Sequence, residues 1–381
     1  MTYNAVWMND ELRLMAESVN NFLEAEYLPS EAKYDEQHFV DREFWRKAGE
    51  MGLLGATVPA EYGGIGGNFA FDAVVSDELS KLGITGFGIQ VHNIASHYIL
   101  AYGNEEQKQK WLPGLCNGEY IGAIAMSEPG AGSDLQGVRT KAVKNGGFYE
   151  INGSKTFISN GLLANIIVLV VKTDESKGAK GISLVVIETE GLEGFQRGRP
   201  LEKIGQPAQD TTELFFDNVR VPIANLLGSE EGKGFYQLMD QLKYERLLIA
   251  VMSVGFMDRA LKMTLEYTKD RKAFGSTIFD FQNTRFKLAE LFTEARIGRI
   301  FVADCVEKMI AGRLDTATAS MAKLWLTERM CNTVDECLQF FGGYGYTKEY
   351  PISRLFIDSR VMKIYGGTSE IMKELISRSL Q

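Results

Sequence analysis

Ile124-Ala-Met-Ser-Glu-Pro-Gly-Ala-Gly-Ser-Asp134 runs from a short apolar strand candidate into a turn of small residues. Gly130 and Gly132 carry no Cβ, so backbone N–H groups there can approach a bulky anion, and turned amides form a concave anion site. The same stretch stands just past a change of period. Before about Tyr120 apolar residues recur at helical spacing; after it they alternate.

Working back, residues 1–119 read as a helical domain. Asn9 is a cap candidate, and Leu12, Met15, Val19, Phe22 and Leu23 share one helical face. Pro29 is expected to end that segment. Further helices are predicted over Arg42–Met51, Phe71–Lys81, Phe87–Tyr102 and Glu105–Leu115. Between them Pro59-Ala-Glu-Tyr-Gly-Gly-Ile-Gly-Gly67 reads as a loop, either a flexible connection or a wall of a ligand entrance.

Working forward, residues 120–228 read as a β domain. Asn145-Gly146-Gly147 suits a hairpin turn ahead of Phe148–Ser159, and Ile166–Val171, Ile182–Ile187 and Glu213–Phe216 are strand-like. No strand–helix alternation appears, which disfavours a doubly wound nucleotide fold. Residues 229–381 return to long helices, over Gly232–Tyr267, Asn283–Ala311 and Thr316–Phe341, as expected of a bundle.

Composition narrows the function. The 381 residues carry 41 basic and 50 acidic side chains, a net charge of −9, with no basic run that could track a nucleic acid. Cys116, Cys305, Cys331 and Cys337 lack metal-type or disulfide-framework spacing, and His38, His92 and His97 are scattered, so free thiols and no metal are expected. No export or transit signal is visible and no run of 18 apolar residues occurs, so a cytoplasmic protein without a membrane span is expected.

Leu238, Leu242, Glu245, Ile249, Met252 and Phe256 follow one another at intervals of 4, 3, 4, 3 and 4, one stripe of a helix. Glu245 is its only charged member. A carboxylate on an apolar face loses hydration, which raises its pKa and makes it a stronger base than one in water. The pattern fits equally a buried glutamate neutralised by an arginine from a neighbouring helix.

Four more motifs follow the opening stretch in order: Lys155-Thr-Phe-Ile-Ser-Asn160, Arg271-Lys-Ala-Phe-Gly275, Gln339-Phe-Phe-Gly-Gly343 and Ile364-Tyr-Gly-Gly-Thr-Ser-Glu-Ile371. Together the five resemble the acyl-CoA dehydrogenase family of flavoenzymes, most of all its long-chain branch. The resemblance implies an α+β architecture: an N-terminal helical domain, a central antiparallel β barrel and a C-terminal four-helix bundle. It implies FAD as cofactor and oxidation of a fatty acyl-CoA thioester to the trans-2-enoyl thioester. It also implies a homotetramer that passes electrons to an electron-transfer flavoprotein.

Many family members carry their base in a Tyr-Glu-Gly-Thr motif. This chain has Tyr365-Gly366-Gly367-Thr368, whereas the long-chain and isovaleryl branches place the base on a helix before Arg-Leu, as in Glu245-Arg246-Leu247. By resemblance, then, Glu245 takes the α-proton while a hydride passes from the β-carbon to flavin N5, and the Gly366 N–H steadies the thioester oxygen. For the cofactor, the resemblance implies contacts from Ile124, Ala125, Met126, Ser127, Glu128, Pro129, Gly130, Ala131, Gly132 and Ser133. Phe157, Ile158 and Ser159 would flank the ring, with Phe157 standing where the family often has tryptophan. Arg271, Phe274, Gln282, Gln339, Phe340, Phe341, Gly342 and Gly343 would complete the site of an adjoining subunit, and Thr368, Ser369 and Glu370 would close it. Ser133, Lys243, Tyr244, Arg246, Tyr365 and Gly367 match substrate-lining positions, though Arg246 can also be a structural charge partner. Tyr365 argues against a short branched substrate. Rival readings are an acyl-CoA oxidase, a dehydrogenase of carrier-protein thioesters, and a non-catalytic flavin-binding homologue.

Overall fold

The Asn9 side chain accepts a hydrogen bond from the Leu12 N–H at 2.9 Å and so starts α1 (Asp10–Phe22), which buries Leu12 and Val19. The computed structural model describes residues 5–380; Met1–Asn4, where the absence of an export signal was partly read, and Gln381 lie outside them. Pro29 does not end the helical path. A π turn (Leu23–Tyr27) and a 3₁₀ turn (Leu28–Ser30) carry it into α2 (Glu31–Gln37). Pro29 falls in the first turn of the 3₁₀ piece, where its missing N–H takes no partner away.

Next come α3 (Arg42–Glu50), α4 (Phe69–Leu82), α5 (Ile89–Tyr102) and α6 (Glu105–Cys116), the last begun by an Asn104–Gln107 capping box. The Pro59–Gly67 loop is closed on itself. The N–H groups of Gly64, Gly66 and Gly67 donate to Pro59, Val58 and Ala56, and a Cβ on Gly64 would stand 2.0 Å from the Val58 oxygen.

Seven strands form one curled sheet: β1 (Gly122–Ala125), β2 (Lys141–Asn145), β3 (Phe148–Ser159), β4 (Ile166–Lys172), β5 (Ile182–Glu188), β6 (Phe195–Arg197) and β7 (Thr211–Pro222). The order is β1-β4-β2-β3-β7-β6, with β5 on β4. As the turn signal requires, β2 and β3 form a hairpin across Gly146-Gly147, with Gly146 at φ +65°. The sheet is mixed rather than wholly antiparallel, because β1 and β2 both lie parallel to β4. The β2–β3 hairpin lies between β1 and β4 in the chain and gives the long connection that parallel neighbours need. β4 is buried along its whole length: Val168 and Val170 face Ala95 and Tyr98 of α5, while Ile167, Leu169 and Val171 face Tyr149 and Ile151. Burial on both faces explains its unbroken apolar run.

The C-terminal helices are α7 (Gly234–Asp270), α8 (Gln282–Ile310), α9 (Thr316–Phe340), α10 (Pro351–Ser359) and α11 (Ser369–Arg378). α7 is the axis of the molecule, packed by α4, α8 and α9. Every residue from Tyr244 to Met257 is buried, far more than one stripe. Asp358, on α10, ties the three parts together. It accepts from Thr85 at 2.6 Å, from Arg354 at 2.7 Å and from the Gln206 N–H.

Candidate active site

Glu245 is 7% exposed and sits where α7 passes α5. Its Oε1 accepts from the Tyr98 hydroxyl at 3.0 Å. Among the described residues no cation pairs with it within 4 Å, so the neutralised-glutamate alternative is not what the fold builds. Burial drives its pKa up to about 7, against the opposing pull of the Tyr98 hydrogen bond and the Arg246 charge. A carboxyl tuned there is part ionised near neutral pH and can take a proton from a weak carbon acid.

One turn of irregular backbone faces the same helix. Gly366 (φ +66°) and Gly367 (φ +98°) precede α11, and a Cβ on Gly366 would stand 2.4 Å from Ile249 Cδ1. Among the described residues Arg246 pairs with no carboxylate; its Nε donates to the Gly366 oxygen at 3.4 Å. From α9, the buried Lys323 donates to the Gly367 oxygen at 2.6 Å. Burial and the nearby Arg246 charge lower the Lys323 pKa to about 8. Neither Tyr98 nor Lys323 stands in any of the five motifs. A tyrosine on an ordinary buried helix gives no signal, but Lys323 does: with Ala319, Leu326, Met330, Val334 and Cys337 it forms a buried stripe interrupted by one charge.

The opening stretch folds into a tight turn, the N–H groups of Glu128 and Ala131 each donating to the other's oxygen at 2.9 and 3.1 Å. Pro129 and Gly130 occupy its centre, and nothing stands within 4 Å of a Cβ built on Gly130 or Gly132. The Glu128 carboxylate turns inward. It accepts from the N–H groups of Arg139 (2.6 Å) and Thr140 (2.9 Å) and from Lys155 (2.8 Å), and those donors hold its pKa low despite burial. Lys155 also donates to the Met126 oxygen, and the Thr156 N–H to that of Ser127, so the turn is fastened to β3.

On β3 the pairing with β7 slips between Lys155 and Ile158. Within that bulge Phe157 adopts φ +57° and its ring is 71% exposed, while Ile158 is buried and Ser159 half-buried. A bulky side chain held in left-handed backbone with its ring in the open is unusual, and such positions cluster at ligand sites.

The remaining residues picked from the sequence divide into exposed and buried sets. Arg271, Gln282, Gln339, Gly342 and Gly343 are exposed, and Phe274, at φ +51°, is 97% exposed. Phe340 is half-buried, and Phe341 is buried and stacks on Tyr267 at 4.3 Å, an internal packing role. Thr368 caps α11 by accepting from the Ile371 N–H; Ser369 buries a hydroxyl that meets no partner among the described residues, and Glu370 is exposed. Lys243 pairs with Asp240 at 3.2 Å, Tyr244 donates to the buried Asp72 at 2.6 Å, and burial pushes the Tyr365 phenol up. Ser133 is exposed, Ile124 and Ala131 join one core cluster, and Ala125 joins another. Beside this ground, an open pocket of about 450 Å³ lies between the ends of α5 and the start of α7, lined by Tyr102, Gln237 and Asp240.

A flavin fits these surroundings on three observations: an unencumbered glycine turn, an exposed aromatic ring beside it, and an orphaned buried hydroxyl at Ser369. Among the described residues no cluster could hold a metal ion and no helix is long and apolar enough to cross a membrane.

Three family models match the chain: acyl-CoA dehydrogenase N-terminal domain over residues 9–119, middle domain over 123–219 and C-terminal domain over 232–381. The chain is 47% identical over 375 residues to the mitochondrial long-chain specific acyl-CoA dehydrogenase of Sus scrofa, covering 98% of this chain and 87% of that protein. The crystal structure of an acyl-CoA dehydrogenase from Geobacillus kaustophilus superposes with a TM-score of 0.97 at 45% identity, over 99% of this chain and 100% of that one. A glutaryl-CoA dehydrogenase from Mycobacterium smegmatis, solved in complex with FADH2, superposes with a TM-score of 0.91 at 29% identity, over 98% of this chain and 95% of that one.

Proposed function

Because this chain belongs to the acyl-CoA dehydrogenase family, and is therefore an oxidoreductase of fatty acyl-CoA thioesters, we propose that it is FAD-dependent and takes the α-proton with Glu245. The observation that carries this reading is the Glu245 carboxyl itself, buried, met among the described residues by one phenol, and poised near pH 7.

Gly130, Gly132, Phe157, Ser159 and Thr368–Glu370 would hold the FAD, with Arg271, Phe274 and Gln282 offered to a second copy, consistent with a homotetramer. When bound, FAD supplies the acceptor for the hydride that leaves the β-carbon. The chain's own work is on the other carbon. Glu245 receives the α-proton, and the Gly366 N–H donates to the thioester oxygen as negative charge grows there. Neither Lys243, already paired with Asp240, nor Tyr244, already bonded to Asp72, is free to act as the base. A long straight acyl chain is the proposed substrate and an electron-transfer flavoprotein the proposed electron acceptor.

Anaerobic addition of straight and branched acyl-CoA esters of increasing length to the FAD-loaded protein tests this directly. Bleaching of the flavin absorbance is expected, fastest with long straight chains. No bleaching at any length would exclude the reading and favour a non-catalytic flavoprotein. Bleaching by carrier-protein thioesters alone would move the substrate from CoA to carrier protein, and rapid reoxidation by oxygen would mark an oxidase.

A further inference from the structure

Among the described residues four lysine and arginine side chains are buried: Lys155, Lys172, Arg246 and Lys323. Lys155 has a carboxylate, Glu128, at 2.8 Å, and Lys172 fastens a loop of the sheet through the carbonyls of Gln136 and Gly178. The other two converge. Arg246 from α7 and Lys323 from α9 end on successive carbonyls of one turn, those of Gly366 and Gly367, and among the described residues neither meets a carboxylate within 4 Å.

Two buried like charges without a counter-ion are costly, so the fold must gain something from keeping them together. In a trans peptide the N–H points opposite to the C=O. With the carbonyls of Gly366 and Gly367 drawn toward the cations, the N–H groups of the same two peptide planes, on Gly367 and Thr368, are turned the other way. The Gly366 N–H proposed to meet the thioester oxygen belongs to the preceding plane, that of the Tyr365 carbonyl, so the two cations act on that oxygen by fixing the turn and through their charge.

We infer that Lys323 is a positioning residue for the reaction: its ammonium holds the Gly366–Gly367 turn and, with Arg246, sets a positive field that stabilises the thioester oxygen as it becomes an enolate. The inference rests on placing the thioester at this turn. The step is a proton transfer: the α C–H bond breaks, the proton goes to the Glu245 carboxylate, and the electron pair moves onto the thioester oxygen. The titratable groups facing Lys323 are Arg246 of α7, Glu328 and Cys331 of α9, and Glu370 of α11.

The test uses a 3-thia-acyl-CoA, in which sulfur replaces the β-methylene. It has an acidic α-proton but no β-hydride to give, so it stops at the enolate, which beside the oxidised flavin absorbs at long wavelength. Titrating that band against pH in the FAD-loaded protein reads the pKa of the bound α-proton. Lys323→Met is expected to raise that pKa by about one unit, roughly tenfold less enolate at a given pH, while binding of the analogue at low pH changes much less. Lys323→Gln, which keeps a donor for the Gly367 oxygen but no charge, should behave alike and serves if the methionine variant does not fold. An unshifted pKa in Lys323→Gln overturns the inference with the functional reading intact. No long-wavelength band in the unmodified protein at any chain length would overturn the placement of the thioester itself.

Discussion

Glu128 and Glu245 are both glutamates and almost equally hidden, at 8% and 7% exposure, yet they are opposite in character. Glu128 meets an ammonium and two backbone N–H groups, and its pKa is lowered. Glu245 meets one phenol, and its pKa climbs to about 7. Burial raises both; what differs is the supply of donors to the charged form. A carboxylate fully served by donors is a brace, inert to protons and useful for pinning a turn to a strand. One left short of donors is reactive. The molecule uses the first to shape the glycine turn and the second, on its central helix, for the chemistry proposed here.

The sharpest way to break that contrast is to remove the reactive member. Glu245→Gln is expected to leave FAD content intact and to slow flavin reduction by acyl-CoA on the order of 10²–10⁴-fold, read by anaerobic stopped flow; an undiminished rate would end the assignment. The brace should fail differently. Lys155→Met leaves the Glu128 charge buried beside only its backbone donors, and loss of one partner of a buried pair costs about 3–5 kcal/mol. Lower denaturation midpoints and weaker FAD retention should appear, with the pH dependence of any remaining turnover unchanged.

The contrast also carries a sign that can be checked through stability. The Glu245 pKa lies above its ordinary 4.5, so the folded state binds the proton more tightly than the unfolded chain does. Its contribution to stability is fully present below about pH 4.5 and is lost as pH rises through 7. Glu245→Gln should therefore stabilise the protein at pH 8, by up to about 3 kcal/mol, and do little at pH 4; equal effects at both would contradict the raised pKa. The smallest effect belongs to Tyr98. Its hydroxyl is the donor that holds the Glu245 pKa down, so Tyr98→Phe should move the acid limb of flavin reduction upward by about one to two pH units, the size expected for one hydrogen bond to a charge.

Much of this was open to a reader of the sequence. The switch from period 3.6 to period 2 near Tyr120 located the sheet, and Asn145-Gly-Gly147 located a hairpin, because both are local properties of the chain. Glu245 was legible as a charge on an apolar stripe, and Lys323 stands on α9 in the same pattern. The parallel pairing of β1 with β4 was not, since 44 residues separate Ile124 from Val168, its partner in the register, and no local rule fixes which strands meet. Nor was the continuation past Pro29, which depends on a π turn that absorbs the break. The exposure of Phe157 depends on a slip in the β3–β7 register that alternation does not encode.

By itself the sequence determined which segments are helix or strand, and which charged side chains the packing would have to hide. Only the tertiary structure decided what each hidden charge would meet. Tyr98 comes to Glu245 from 147 residues away, Gly366 to Arg246 from 120, and Gly367 to Lys323 from 44. Spacing along a helix fixes the direction in which a side chain leaves the axis. The proton affinity of that side chain is set by the donors and charges within a few ångströms, and those are delivered by other elements once the core has closed.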